Sequence, residues 1–129
     1  MKLAIFETFS TSDEDSKDQS LHPVKVKTNV DNCTRIVLNY FHNNSYYNIK
    51  NEQDYNEIFG ILDDYETTIH LIKELDGKIT IGISIYSPFH RGRTRSRVKL
   101  INKDMKELFK NYLWKYNQYM MNHLKNMEK

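Results

Sequence analysis

Residues 67–87, TTIHLIKELDGKITIGISIYS, hold the segment on which the fold turns. Two β-rich runs flank Asp76-Gly77, a pair that predicts a two-residue type I′ hairpin. After the turn, Ile79, Ile81, Ile83 and Ile85 alternate with Thr80, Gly82, Ser84 and Tyr86, so the four isoleucines share one sheet face. An antiparallel sheet with one buried face is the architecture this pattern asks for.

Working outward, the start of the chain, KLAIFETF (2–9), reads as a strand of β-branched and aromatic residues. Ser10–Pro23 has the composition of a mobile acidic loop. VKVKTN (24–29) alternates and predicts a short strand, and TRIVLNYFH (34–42) a stronger one. In 51–66, Tyr55, Ile58, Phe59 and Leu62 fall at i, i+3, i+4 and i+7, the spacing of an amphipathic helix. No proline or glycine interrupts Asn102–Lys129, which predicts a long C-terminal helix over 103–128. Runs of strands with two helices give one α+β domain over 1–129: an antiparallel sheet with a short amphipathic helix and a long C-terminal helix on one face.

Composition bounds the function. The 129 residues include nine Tyr and six Phe, so burial leans on rings, and a single alanine among many Asn, Lys and Ile is what AT-rich codons produce. A low-GC genome, such as that of a bacterium, phage or other mobile element, fits this bias. No run approaches the ~20 apolar residues of a membrane span, and the N-terminus lacks a signal-peptide core. Cys33 is the lone cysteine, which rules out an internal disulfide and points to the cytoplasm.

The net charge of +2 conceals a division. Residues 1–89 carry eight basic and fourteen acidic side chains, and residues 90–129 carry eleven and three. Four of the five arginines, Arg91, Arg93, Arg95 and Arg97, lie at every second position, with Lys99 continuing the series. As a strand, 93–99 would put them on one face, where guanidinium forks suit phosphate oxygens. On the C-terminal helix, Trp114 and Met121 lie opposite the apolar arc beside Lys103, Lys110 and Lys125, a second interaction patch or a homodimer contact. Glu52, Asp54, Glu57, Asp63 and Asp64 form an acidic face on the first predicted helix. It suits a solvated surface, an intramolecular cover for the arginines, or a dock for a basic groove.

Catalytic signals are sparse. The four glycines form no phosphate loop, the five histidines have no metal-ligand spacing, and no cofactor or metal site is expected. The chemistry that fits least badly is RNA cleavage, with His70 or His90 as acid/base and Arg91 or Arg93 on the phosphate. The reading that follows is a non-enzymatic module whose Arg-rich strand 91–99 and basic C-terminal helix engage a nucleic acid or a nucleic-acid-handling protein. A protein-directed inhibitor or immunity-type factor of a mobile element is the alternative, and a small RNA hydrolase the third.

Overall fold

A computed structural model of the chain describes residues 7–113. It is an α+β fold: a six-stranded antiparallel sheet with two helices packed against one face. In chain order come β1 (Phe9–Thr11), β2 (Val24–Val26), α1 (Val30–Asn43), β3 (Tyr47–Glu52), β4 (Glu57–Leu62), β5 (Tyr65–Lys73), β6 (Ile79–Tyr86) and α2 (Thr94–Leu108). The last four strands run as a meander, and β1 and β2 both pair with the free side of β6, β1 at Ser84–Tyr86 and β2 at Ile79–Ile81. The strand expected over residues 2–9 falls largely outside the described residues, and β1 begins only at Phe9.

The isoleucine stripe is where its alternation places it. Ile79, Ile81, Ile83 and Ile85 are buried and stand beside Leu71, Ile69 and Thr67 of β5. The turn differs from the expected one. Glu74 N–H bonds to Lys78 O (2.8 Å) and Gly77 N–H to Glu74 O (3.0 Å), leaving a three-residue loop in which only Gly77 has positive φ, at 87°. That is a type I turn closed by a G1 bulge rather than a type I′ pair. The type I′ geometry occurs instead at Asp63-Asp64, with φ of 53° and 66° between the paired Leu62 and Tyr65. Aspartate tolerates the left-handed region because its side chain is short and polar.

Two segments exchange their expected secondary structure. Thr34–His42 lies in α1, not in a strand: Cys33, Val37 and Phe41 repeat at i, i+4 and i+8 and are buried, and the Asn29 side chain caps the helix at Asn32 N–H (2.8 Å). The segment 51–66, read as a helix, is instead the β3 end, a short 3-10 turn (Gln53–Tyr55), β4 and the start of β5. Ile58 and Gly60 alternate inward on β4, and Gly60 is small for a reason. A Cβ there would lie 3.1 Å from Phe41 Cδ2 and 3.2 Å from Tyr46 Cδ2, two rings stacked at 4.4 Å. The short amphipathic helix therefore sits above the strand that was expected to be helical.

The arginine stretch is the third correction. Residues 94–99 are not extended but form the first turns of α2. Thr94, Val98, Ile101 and Met105 are buried at i, i+4, i+7 and i+11, and that spacing fits a helix on the sheet. The C-terminal helix thus begins at Thr94 rather than at residue 103, and α2 ends at Leu108, followed by a 3-10 turn (Lys110–Tyr112). Beyond it Val26 pairs with Leu113 in an isolated bridge. The two helices are tied by Tyr40 O–H donating to Asp104 Oδ2 at 2.6 Å. Burial, then this hydrogen bond, push the Tyr40 phenol well above its ordinary pKa, so it stays a donor.

Candidate functional site: a basic helix flank and an open sheet face

The helix redistributes the predicted arginine row. At 100° per residue, Arg95 joins Lys99, Lys103 and Lys106 within an arc of about 80°, rising about 16 Å along α2. Asp104 and Glu107 fall outside that arc. Lys110, exposed, follows in the 3-10 turn after α2. Arg91 and Arg93 are exposed at the entry to the helix, where no acidic residue occupies the first turn. Arg97 leaves the row altogether: its guanidinium lies 4.9 Å above the Tyr65 ring, on the other flank of α2.

Two of the cations already hold carboxylates of the same chain. Lys99 Nζ is 2.7 Å from Asp18 Oδ2, and Arg95 is 3.0 Å from Glu7 Oε1. The Lys99 hydrogen bond, followed by those from Ser20, holds the Asp18 carboxyl well below the usual carboxylate range. Asp18 belongs to the segment between β1 and β2, which carries a 3-10 turn (Gln19–Leu21) and is joined to α2 by Asn102 Nδ2 donating to Ser20 O (3.0 Å) and His22 O (2.6 Å). Lys103, Lys106 and Lys110 have no ion-pair partner among the described residues.

Of the second predicted patch, Lys103 lies on this flank and Lys110 in the 3-10 turn after it, whereas Trp114, Met121 and Lys125 lie outside the described residues. The predicted acidic face is not a helix face. Glu52 and Glu57 are register partners on β3 and β4, Asp54 is in the 3-10 turn between them, and Asp63 and Asp64 form the hairpin at the far end of β4.

Among the described residues no helix packs on the other side of the sheet, and the register shows how that side is composed. One row crosses five strands as Phe9, Tyr86, Glu66, Ile61 and Tyr47. The next runs Thr11, Ser84, Thr68, Phe59 and Lys50, and the third Gly82, His70, Glu57 and Glu52. The first row holds three aromatic rings around one carboxylate, Glu66, and the third holds the Glu52–Glu57 pair. Phe9 is 55% exposed and Tyr86 43%, large values for rings in a paired sheet. This row escaped the sequence reading, although its signal was there: Tyr86 continues the outward alternation opposite the isoleucine stripe.

The histidines proposed for catalysis are separated. His70 is on the open face, with Nε2 3.0 Å from Ser84 Oγ and Nδ1 3.3 Å from Glu57 Oε1. His90 stacks on Tyr65 at 4.4 Å on the helix-covered side and donates from Nε2 to Asp63 O (2.8 Å). The Ser84–His70–Glu57 chain has the order of nucleophile, base and orienting acid. Ser84, however, sits in β6 between two strands, its neighbouring amides engaged in the ladder, and the shallow depression of about 370 Å³ beside it is lined by Asp13, Glu14, Asp15 and Glu74. Carboxylates so close to the site repel a developing oxyanion rather than stabilise it. Among the described residues no cluster of three or more His, Cys, Asp or Glu has metal-binding geometry, and no helix is long and apolar enough to cross a membrane.

No family model, curated protein or solved structure matches the chain.

Proposed function

We propose that this protein is a non-enzymatic binding module that engages the phosphate backbone of a nucleic acid, or of a nucleoprotein, through the basic flank of α2. The observation that carries the reading is the single arc of Arg95, Lys99, Lys103 and Lys106, in which α2 itself places no carboxylate, with Arg91 and Arg93 at its entry. Contacts of this kind follow a backbone rather than read bases, so the module discriminates little among sequences. Glu7 and Asp18 act as internal stand-ins for phosphate at Arg95 and Lys99, and a polyanion displaces them.

Fluorescence anisotropy of labelled single- and double-stranded DNA and RNA at ~50 and ~200 mM salt tests this. With about four phosphates neutralised, log affinity falls with log salt at a slope near −3 to −4. The R95A/K103A/K106A variant, altered only at exposed positions, loses most of the binding and most of the slope. Absence of binding at low salt, or a flat salt response, overturns the proposal.

A further inference from the structure

The geometry points to a second docking surface, the open face of the sheet, whose occupant is a protein that presents lysine or arginine side chains beside apolar ones. The surface is separate from the α2 flank, because both helices lie on the opposite side of the sheet. Its apolar part is the Phe9–Tyr86 cross-strand pair with Ile61 and Tyr47 farther along the same row. Exposed rings of this kind are the side chains that anchor protein interfaces, since they bury much area at little entropic cost.

Charge selects the partner. Glu66 sits inside the aromatic row, between Tyr86 and Ile61. Two rows along, Glu52 and Glu57 face each other on adjacent strands, an arrangement that repels within the sheet. Beside the pair lie His70, whose Nδ1 is 3.3 Å from Glu57 Oε1, and Lys50 in the next row, whose Nζ is 5.9 Å from the centre of the Phe59 ring. Beside this row Asp13, Glu14, Asp15 and Glu74 line the shallow depression. Of these, Glu14 is paired, with Lys25 at 2.9 Å, and Glu74 accepts from Thr80 Oγ1 at 2.6 Å. Lysine or arginine side chains of a partner would neutralise the Glu52–Glu57 pair and Glu66 while its apolar side chains cover Phe9 and Tyr86. Nucleic acid is excluded from this face by the same carboxylates that attract a basic protein. A chain with a polyanion-binding flank on one side and this face on the other is suited to a nucleoprotein, whose two components carry opposite charge.

The test uses the full ¹⁵N-labelled chain titrated with an eight-residue peptide of alternating arginine and tryptophan, and with octa-arginine as a charge-only probe. Amide shifts should map to β1, β3, β4, β5 and β6, with the alternating peptide binding several-fold tighter than octa-arginine. The E52Q/E57Q/E66Q variant should weaken binding about tenfold, and Tyr86→Ala should remove the advantage of the alternating peptide. R95A/K103A/K106A should leave peptide affinity unchanged, so failure of this proposal and failure of the nucleic-acid reading are distinguishable. Shifts confined to α2 or to residues 13–18, or equal affinity for both peptides, overturn the inference. Concentration-dependent shifts on both the open face and α2 without peptide also overturn it, since the occupant is then a second copy of this chain. The mapping on the unaltered protein stands whether or not the variants fold.

Discussion

The two sides of strand β6 face opposite tasks. Inward, Ile79, Ile81, Ile83 and Ile85 are at most 3% exposed and meet α2 and the inward residues of β5. Outward, Ser84 and Tyr86 are partly or largely exposed, and their neighbours across the sheet are Thr68 and Glu66. One backbone serves both, because successive side chains point to opposite faces. The inner face holds the fold together by excluding water, and the outer face is left free to carry charge and rings at little cost in stability. Substitutions on the two sides should therefore separate cleanly, folding from binding.

The largest break comes from the inner side. Ile83→Ala should destabilise by about 3–4 kcal/mol, since a fully buried side chain is removed and its cavity cannot collapse between a sheet and a helix. Thr68→Ala on the outer face should stay within about 0.5 kcal/mol, a contrast that urea unfolding measures directly. Cys33 provides a second readout: burial pushes its thiol up to about 12, so labelling at pH 8 should report opening of the core and accelerate sharply in Ile83→Ala.

Next in size is the contact between α1 and β4. Gly60→Val should cost about 1–3 kcal/mol, because the added carbons press on Phe41 and Tyr46 where a Cβ alone is already at 3.1–3.2 Å. Thermal unfolding checks it, and an unchanged midpoint would mean that the two stacked rings can move aside.

Tyr40→Phe should cost about 1 kcal/mol by deleting the hydrogen bond to Asp104 that links the helices. The sign of its pH dependence follows from the raised phenol. Its contribution is complete below the ordinary tyrosine value near 10 and would be lost only as the pH rose through the folded value. Stability curves of the parent and Tyr40→Phe proteins should thus run parallel from pH 6 to 9.

The smallest effect belongs to the α2 flank. Asp18→Asn should raise polyanion affinity about two- to fivefold by releasing Lys99, with no measurable loss of fold. Because the Asp18 carboxyl is held below the usual range, its hold on Lys99 is fully present above pH ~4 and lost only as the pH falls well beneath that. Anisotropy titrations at pH 5 and 7 should accordingly show the same gain.

Sequence by itself determined the α+β class, the hairpin on either side of Asp76-Gly77, the isoleucine face and the division of charge at residue 90. These follow from local periodicity and composition, which need no partner to be read. Tertiary structure decided which of two amphipathic segments became a helix. Thr34–His42 and Asn51–Glu66 each satisfy more than one period, and the choice rests on what each can bury. Phe41 finds its place only against Gly60, and Ile58 only between neighbouring strands.

The arginine stretch was ambiguous for the same reason. Its alternating cations match a strand, while Thr94, Val98, Ile101 and Met105 match a helix, and charges on a wet surface constrain the backbone less than side chains that must leave water. The burial won, and it reassigned the cations: Arg95 and Lys99 joined Lys103 and Lys106, and Arg97 went to Tyr65. The neighbours gathered on the open face, such as Phe9 with Tyr86 and Glu57 with His70, exist only through the register of the strands, which for Phe9 and Tyr86 lie far apart in the chain. No local pattern encodes them, because strand pairing is fixed by the hydrophobic face that the helices cover.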